Sequence, residues 1–307
     1  MSKTFPYAYI RKKMTPIAKA QVPIMCKAVQ YGLGVFSGIR GHWNAKDKNL
    51  YLFRPEDHFR RLEEAAKITG MKLNLSYPKF LEIITKLIKK NKAKEDVYLR
   101  PTLYAASTKL TPRFDNTDDD LAIYMISLKD YFSSSDGLNV CVSSWRRFDD
   151  DAISSKAKIT GAYCNSALAK TEAINNGYDE AIFLNRDGNV CEASGANIFG
   201  IKNGEVWTPP LSANNLNGIT RRSVIELFKN EHDLKVREEN FDRSMLYTFD
   251  ELFFTGTAAK VTAITSVDQR KIGTGKAGKT TKKLINIFTK ITNGELEEYK
   301  KWLTPIY

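Results

Sequence analysis

Hydrophobic residues recur at helical spacing in the first part of the chain, which also contains two strand-like stretches, the second of them mostly apolar. The spacing predicts helices over residues 55–69 and 77–92, and the second has an apolar face made of Phe80, Ile83, Ile84, Leu87 and Ile88. The runs VYLRPTLYA and LAIYMISL predict two strands, and the polar stretch TKLTPRFDNTDDD between them predicts a loop. Residues 1–130 are therefore predicted to form one domain of mixed helices and strands.

The pattern changes after residues 131–137, YFSSSDG, whose small and polar composition predicts a linker. Short apolar runs then follow one another, separated by Asp-Gly and Asn-Gly dipeptides that favour tight hairpin turns. Helices are predicted over 162–175 and 221–230, and a last helix has an apolar face made of Leu284, Ile287, Phe288 and Ile291. Residues 138–307 are thus predicted to form a second, larger domain. The fold class is α/β of the α+β type, with largely antiparallel strands.

Composition and charge narrow the class of protein. The chain has 307 residues, 42% hydrophobic and 27% charged, which is typical of a globular protein that can form two domains. No apolar run reaches the length of a membrane span and the cysteines form no C-x-x-C pair, so we expect a cytoplasmic protein without a membrane partner. The net charge of +12 includes the lysine-rich run 86–94, which is predicted to be the solvated side of a helix. We therefore expect anionic small molecules, and no nucleic acid, as partners.

The stretch GTGKAGKT, residues 273–280, fits both the phosphate-loop pattern G-x-x-x-x-G-K-[ST] and the dinucleotide pattern G-x-G-x-x-G. A nucleotide-binding protein of the phosphate-loop class is therefore one alternative. Such a loop follows a buried parallel strand, whereas this stretch follows the polar segment SVDQRKI and precedes the last predicted helix. We expect Gly278 and Lys279 to form the turn that starts this helix.

Two residues are candidates for covalent and acid–base chemistry. Lys158 precedes the small-residue turn Ile-Thr-Gly-Ala, where a lysine can lose solvent and become a Schiff-base nucleophile, although a surface lysine is the plain alternative. Glu192 stands among small and apolar residues in a predicted strand, as either an exposed edge charge or a buried carboxylate that needs a cationic partner. The pyridinium nitrogen of pyridoxal phosphate would be such a partner. The spacing of the histidines does not fit a metal site. The sequence contains no G-x-S-x-G motif, so it gives no support for an α/β-hydrolase.

Two small-residue turns are candidates for binding an anion. Residues 218–220, Gly-Ile-Thr, begin a predicted helix whose N-terminal N–H groups and dipole suit a phosphate, although the threonine could also be an ordinary N-cap. Residues 256–258, Gly-Thr-Ala, follow a predicted strand, and they can either offer their amides to an anion or form a simple hairpin turn. Both turns are compatible with a phosphorylated cofactor and a carboxylate substrate.

Together these segments resemble the class IV, fold-type IV, pyridoxal-phosphate aminotransferases, and most closely the branched-chain amino acid aminotransferases. The matching motifs are collinear over roughly residues 30 to 285 and read YGLGVFSGIR, HFRRLEEAAK, VYLRP, VSSWRR, KAKITGAY, GYDEAIFLNRDGNVCEASGANIF, VWTPPLSANNLNGITR, FFTGTAAKVTAI and IGTGKAGKTTKKL. The resemblance implies a small α/β domain and a larger domain with a mostly antiparallel, barrel-like sheet. It also implies a transaminase that uses pyridoxal 5'-phosphate and moves the amino group between leucine, isoleucine or valine and 2-oxoglutarate.

The same resemblance assigns roles to individual residues. Lys158 would be the catalytic residue, which binds the cofactor covalently and then moves the proton. The residues expected to bind the cofactor are Arg61, Lys158, Tyr163, Glu192, Leu216, Gly218, Ile219, Thr220, Gly256 and Thr257. The residues expected to bind substrate are Tyr31, Phe36, Arg40, Tyr98, Arg100, Thr257 and Ala258. Among these, Arg100 would receive the distal carboxylate of glutamate or 2-oxoglutarate, and no metal is expected.

Three positions depart from the family's pattern. Ser37 stands where branched-chain enzymes usually carry glutamate, Ala162 replaces an asparagine, and Ala196 replaces a second glutamate. These positions line the pocket or lie behind it, so alternatives of the same fold stay open: a D-amino acid or (R)-amine transaminase, or aminodeoxychorismate lyase. In the family a loop of the small domain, here TKLTPRFDNTDDD, reaches the neighbouring subunit, which implies a homodimer or larger homo-oligomer.

Overall fold

The structure is a computed structural model, and it describes residues 3–115, 117–129, 131–132, 136–231 and 234–307. Its strands, numbered along the chain, are β1 (Tyr7–Ile10), β2 (Lys13–Pro16), β3 (Gly34–Phe36), β4 (Ile39–Asn44), β5 (Asn49–Phe53), β6 (Val97–Ala105), β7 (Asp119–Ser127), β8 (Leu138–Arg146), β9 (Glu180–Leu184), β10 (Val190–Ala193), β11 (Asn197–Lys202), β12 (Glu205–Thr208), β13 (Val236–Glu238), β14 (Glu251–Gly256), β15 (Lys260–Val267), β16 (Arg270–Lys271) and β17 (Leu303–Pro305). Its α-helices are α1 (Lys27–Tyr31), α2 (Pro55–Thr69), α3 (Tyr77–Lys90), α4 (Tyr163–Asn175), α5 (Ile219–Glu231), α6 (Arg243–Leu246) and α7 (Lys279–Thr292). Short 3-10 helices lie at Ile17–Lys19, Leu211–Ala213 and Glu297–Trp302.

The described chain divides into two compact units. The first unit comprises Met1–Lys129, Ala157–Ala162 and Thr289–Tyr307, and the second comprises Asp130–Lys156 and Tyr163–Phe288. Two segments of the predicted domain 138–307 thus belong to the first unit, because Ile159 forms a bridge to Val35 of β3 and because β17 pairs with β5. Residues 133–135 of the predicted linker 131–137 lie outside the described residues. The predicted domain boundaries stay a prediction.

The first unit is an antiparallel sheet covered by helices. The strand order is β17-β5-β4-β6-β7-β1-β2, with β3 paired to β6 beside this path. The predicted helix 55–69 and the predicted strand VYLRPTLYA are confirmed as α2 and β6, and α3 ends at Lys90. Phe59 of α2 and Phe80 of α3 are buried with ring centres 5.0 Å apart, so the two apolar faces close over the sheet.

The second unit is a mixed sheet in the order β10-β9-β8-β15-β14-β11-β12-β13, with β16 paired to β15. Most pairs are antiparallel, as predicted, and the α/β fold class is confirmed. The sequence did not predict the parallel pairs, which join β8 to β9, β8 to β15 and β12 to β13. The chain passes through α4 between β8 and β9 and through α5 between β12 and β13, and such crossovers are what parallel pairing requires.

Aromatic packing fixes α5 against the second sheet. The rings of Phe199 and Phe253 stack on neighbouring strands at 5.2 Å and 4°, and Phe228 of α5 packs on Phe253 at 6.2 Å. Burying three such rings stabilises the unit and sets the direction of the helix, whose first residue is Ile219. No helix within the described ranges is long and apolar enough to cross a membrane.

Candidate active site

Lys158 lies in a short extended segment of the first unit that pairs with β3. Its carbonyl accepts a hydrogen bond from the N–H of Phe36 at 2.9 Å, and the N–H of Thr160 donates to the carbonyl of Gly34 at 2.8 Å. The Lys158 side chain is half-buried, and its Nζ lies 5.1 Å from the centre of the Phe36 ring. The predicted nucleophile is therefore held by main-chain pairing next to an aromatic ring.

Arg100 approaches the same Phe36 ring from β6. Its guanidinium carbon lies 4.5 Å from the centre of this ring and 5.2 Å from that of Tyr98, whose hydroxyl accepts a hydrogen bond from Arg100 Nη2 at 3.1 Å. Tyr98 and Arg100 lie on one face of β6 because side chains alternate along a strand. The cations of Lys158 and Arg100 thus both contact one buried ring, and both distances are within cation–π range.

Arg61 lies on α2 in a buried polar network. The guanidinium Nη2 donates to the hydroxyl of Ser37 at 3.4 Å, and this hydroxyl pairs with Nδ1 of His58 at 3.1 Å. Ser37, His58 and Arg61 are each less than a tenth exposed. The serine that departs from the family's pattern therefore contacts the arginine expected to hold the cofactor phosphate.

The other predicted residues of the first unit lie in less informative positions. Arg40 is 2% exposed, its Nη2 donates to the carbonyls of Leu128, at 2.7 Å, and Lys129, and it also lies 3.9 Å from an Asp96 carboxylate oxygen. These main-chain contacts support a structural function for Arg40, and its role in substrate binding stays a prediction. Tyr31 is the half-buried last residue of α1.

Glu192 lies on β10, where the register with β9 shifts between Val190 and Ala193. Such an irregularity redirects a side chain, and here Glu192 is buried and its carboxylate is paired. Oε1 lies 2.9 Å from Arg147 Nη2, while Oε2 accepts from Asn197 Nδ2 at 3.3 Å and from the N–H of Leu216 at 3.0 Å. The alternative of an exposed edge charge is therefore wrong.

Sequence reasoning missed Arg147 and Asn197. A buried carboxylate needs a cation, and the motif VSSWRR supplies two adjacent arginines without indicating which one turns inward. The structure places Arg146 at the exposed end of β8, whereas the Arg147 side chain is 9% exposed and stacks on Phe148 at 4.2 Å. Asn197 is the first residue of β11, and its sequence context gave no sign of its contacts.

The start of α5 fits a phosphate group. The first N–H groups of a helix have no intrahelical partner, and Ile219 and Thr220, both buried, occupy this position. A Cβ at Gly218 would lie 2.1 Å from Asn197 Oδ1, so the backbone approaches this side chain more closely than any other residue type allows. Thr255 pairs with Asn197 in the sheet, and its buried Oγ1 has no hydrogen-bond partner among the described residues. The N–H groups of a helix start, next to a glycine that leaves room at the backbone, suit a phosphate.

The remaining predicted residues of the second unit lie on β14, in the turn after it, at the start of α4 and in the loop before α5. Gly256 is the last residue of β14 and pairs with Lys260 of β15, and Thr257 and Ala258 lie in the tight turn between these strands; all three residues are half-buried. The hairpin alternative is thus observed, and anion binding by this turn stays a prediction. Tyr163 is the half-buried first residue of α4, and Leu216 is held to Glu192 through its N–H.

Two buried thiols adjoin acidic groups of the second unit. Burial raises the pKa of the Cys191 thiol well above its usual value, and the neighbouring Glu192 charge adds to this effect. Burial, with the nearby Asp268 and Glu172 charges, raises the pKa of Cys141 to about 11. Neither thiol is therefore a nucleophile near neutral pH.

In the glycine-rich stretch 273–280 and the residue after it, a carboxylate of the protein itself binds the N–H groups that a phosphate loop would offer to a phosphate. The Glu251 carboxylate accepts hydrogen bonds from the N–H of Thr280 at 3.0 Å and from the N–H and hydroxyl of Thr281 at 2.7 and 2.6 Å. A Cβ at Gly278 would lie 2.1 Å from Glu251 Cδ. The start of α7 thus carries a built-in anion, which explains the glycine and opposes the nucleotide-binding alternative.

Comparison with known proteins decides the family. Residues 34–267 match the family described as amino-transferase class IV. The chain belongs to this family. The resemblance inferred from the sequence motifs is therefore confirmed, and so is the prediction that the chain is an aminotransferase enzyme.

Relatives match over the whole chain. A probable branched-chain-amino-acid aminotransferase of Aquifex aeolicus is 45% identical over 309 residues, covering 100% of this chain and 99% of the relative. The branched-chain aminotransferase of Thermoproteus uzoniensis, solved with norvaline, superimposes with a TM-score of 0.94 at 36% identity and covers 100% of both chains. The branched-chain amino acid aminotransferase of Thermobaculum terrenum, solved in its PLP form, has a TM-score of 0.93 at 32% identity and covers 99% of both chains.

Proposed function

We propose that this chain is a transaminase that moves the amino group between the branched-chain L-amino acids leucine, isoleucine and valine and 2-oxoglutarate. Relatives with this name match its full length. The observation in the site that carries the proposal is the Arg100 guanidinium, 4.5 Å from the centre of a Phe36 ring that also contacts Lys158. An aromatic wall with a cation at its edge suits a site that accepts an apolar side chain and a carboxylate in turn.

The predicted cofactor, pyridoxal 5'-phosphate, is confirmed by the family and by relatives solved with it or with its amine form, pyridoxamine 5'-phosphate. When bound, this cofactor supplies a pyridinium ring that withdraws electrons from the substrate's α-carbon. We assign Lys158 Nζ to binding the cofactor carbonyl and to moving the proton at the α-carbon. Glu192 would hold the ring nitrogen protonated. The N–H groups of Ile219 and Thr220 would hold the phosphate, and the resemblance assigns Arg61 to the phosphate as well.

The remaining roles follow the same assignment. Tyr163 would donate to the phenolic oxygen of the cofactor, and Leu216 would lie against its ring. The turn at Thr257 and Ala258 would bind the substrate α-carboxylate, and Tyr98 is assigned to the same substrate. Gly218 and Gly256 would contact the cofactor through their backbone. Tyr31, Phe36 and Tyr163 would contact an apolar substrate side chain.

The variant Arg100→Met tests whether one pocket accepts both an apolar side chain and a distal carboxylate. A charge-assisted hydrogen bond is worth about 1.5 to 3 kcal/mol. Arg100→Met should therefore lower kcat/KM for glutamate and 2-oxoglutarate by roughly tenfold to a hundredfold. Leucine and isoleucine should change much less because they do not meet the guanidinium charge. Equal losses for leucine and glutamate in paired half-reactions would assign Arg100 to the fold or to the α-carboxylate instead.

An amino-donor screen tests the proposed activity itself. Purified protein with pyridoxal phosphate and 2-oxoglutarate is offered leucine, isoleucine, valine, D-alanine and an (R)-amine, and glutamate formation is measured for each. We expect turnover with the three branched-chain L-amino acids. Faster turnover of D-alanine or the (R)-amine would assign the chain to the other transaminases of this fold. Release of pyruvate from aminodeoxychorismate would assign it to the lyase.

We also propose that the chain forms a homodimer or a larger symmetric oligomer in the cytoplasm. The loop between β6 and β7 is held by buried Lys27, whose Nζ donates to the carbonyl of Arg113 at 2.9 Å. Leu110 of this loop is 78% exposed and Ile24, close in sequence to Lys27, is 81% exposed, which supports a contact with a second copy. The four free cysteines fit a reducing compartment. Sedimentation should show at least a dimer, and a fully active monomer would contradict the proposal.

A further inference from the structure

Asn197 connects the two groups of the second unit that would hold opposite ends of the cofactor. Its amide Nδ2 donates to Glu192 Oε2 at 3.3 Å and to the carbonyl of Leu216 at 2.9 Å. The side chain is 5% exposed and lies at the start of β11, opposite Thr255 in register. One buried amide therefore contacts both the carboxylate for the ring nitrogen and the loop that leads into α5.

The other end of the Asn197 amide sets the path of that loop. Its Oδ1 lies where a Cβ at Gly218 would come within 2.1 Å, so the backbone at the start of α5 runs directly against it. The residue after Gly218 is Ile219, the first residue of the helix. The backbone before the first N–H groups of α5 thus packs against the side-chain oxygen Oδ1 of Asn197, so the position of these N–H groups depends on that atom.

The contacts close a triangle. Leu216 donates its N–H to Glu192 Oε2 at 3.0 Å and accepts from Asn197 through its carbonyl, while Asn197 also donates to Glu192. Each of the three groups is therefore fixed by the other two. A triangle of buried hydrogen bonds is more rigid than any one of them, because moving one corner breaks two bonds.

We propose that Asn197 is a positioning residue that sets the distance between the ring-nitrogen site at Glu192 and the phosphate site at Ile219 and Thr220. Pyridoxal phosphate is a compact ligand whose ring nitrogen and phosphate have a restricted separation, so both sites must be spaced correctly before it binds. Occupying one site should then hold the triangle at the spacing that the other site needs and so favour its occupation. Binding of the two ends is coupled through Asn197.

The test separates the cofactor into its two ends. Pyridoxine carries the ring without the phosphate and without the carbonyl that reacts with lysine, and inorganic phosphate carries the other end. Calorimetry gives the dissociation constant of pyridoxine with and without saturating phosphate. In the wild type, phosphate should tighten pyridoxine binding by about fivefold or more, within the usual range of coupling between sites. In Asn197→Ala this factor should fall below about twofold.

Two further variants separate positioning from packing and from stability. Asn197→Asp keeps the side-chain volume against Gly218 but replaces the donor to Glu192, so it should also lose the coupling. Asn91→Ala is the matched control, since this buried amide donates to the carbonyls of Tyr7 and Leu87 in the first unit, both at 3.0 Å. It should lower the thermal stability and leave the coupling factor unchanged.

The measurement also distinguishes this proposal from the proposed function on which it rests. Intact pyridoxal phosphate should bind to Asn197→Ala more weakly than to the wild type by at least the coupling factor that is lost, about fivefold or more. A coupling factor in Asn197→Ala or Asn197→Asp that equals the wild-type value overturns the positioning role. A wild type that binds neither pyridoxal phosphate nor its two fragments overturns the cofactor assignment and this proposal with it.

Discussion

Arg147→Met tests whether the buried carboxylate of Glu192 is matched to a cation. The Arg147 and Glu192 side chains are 9% and 6% exposed, and their Nη2 and Oε1 atoms are 2.9 Å apart. Without the guanidinium, the Glu192 carboxylate keeps only its hydrogen bonds from the Asn197 amide and the Leu216 N–H among the contacts described above. Methionine keeps much of the apolar contact with Phe148, so the change removes mainly the charge.

The expected magnitude follows from the burial of both partners. Breaking a buried ion pair from one side costs about 3 to 5 kcal/mol, because the remaining charge is left uncompensated. We expect this loss in the free energy of unfolding of the cofactor-free protein. A bound pyridinium would supply Glu192 with a new cation, so pyridoxal phosphate should stabilise Arg147→Met by a larger increment than it stabilises the wild type.

Urea unfolding at pH 7, followed by tryptophan fluorescence with and without cofactor, measures both quantities. Arg237→Met is the matched control, because Arg237 Nε lies 2.6 Å from Glu205 Oε2 and its guanidinium stacks on Trp207 at 5.1 Å, but this pair is partly exposed. Its loss of stability should be much smaller. Equal losses in the two variants, or equal cofactor increments in Arg147→Met and the wild type, would refute the reasoning.

Two other predictions concern groups outside the cofactor contacts. Lys279→Ala should keep transamination and the wild type should show no saturable ATP binding in calorimetry, because Glu251 already occupies the start of α7; magnesium-dependent ATP binding that is lost in the variant would contradict this. Iodoacetamide at pH 8 should label exposed Cys164 and spare Cys141 and Cys191, whose pKa values are raised by burial. Peptide mass spectrometry checks this, and labelling of native Cys191 as fast as Cys164 would count against the burial.

The elements with one clear period could be predicted from the sequence. The helix α2 has the bounds expected from its apolar spacing, and β6 has the bounds of the predicted strand VYLRPTLYA. The parallel pairs of β8 with β9 and β15 could not be predicted, because Asp-Gly and Asn-Gly turns report only on strands that are adjacent in sequence. Pairing across a crossover depends on which faces pack together in three dimensions.

The candidate site could be predicted where the residue type itself suggests a chemical role. Lys158 and Glu192 could be identified because each is a charged side chain among small residues, and a charge that becomes buried there requires a partner or a chemical role. Their partners were not predictable in the same way. Arg146 and Arg147 are adjacent in the sequence, which does not show that only the Arg147 side chain is buried and pairs with Glu192. Asn197 contacts Glu192 and Leu216, and no local sequence pattern indicates these contacts.

The most direct test of the central claim compares the wild type with Lys158→Ala in visible absorption and in leucine–2-oxoglutarate turnover. The wild type should carry the absorption band of covalently bound pyridoxal phosphate and form glutamate from leucine. Lys158→Ala should lose the band and nearly all turnover, since covalent binding and proton transfer depend on one amine. Lys156→Ala, at a nearby lysine that is 57% exposed, should keep both. A Lys158→Ala protein that keeps its absorption band and its turnover would contradict the account.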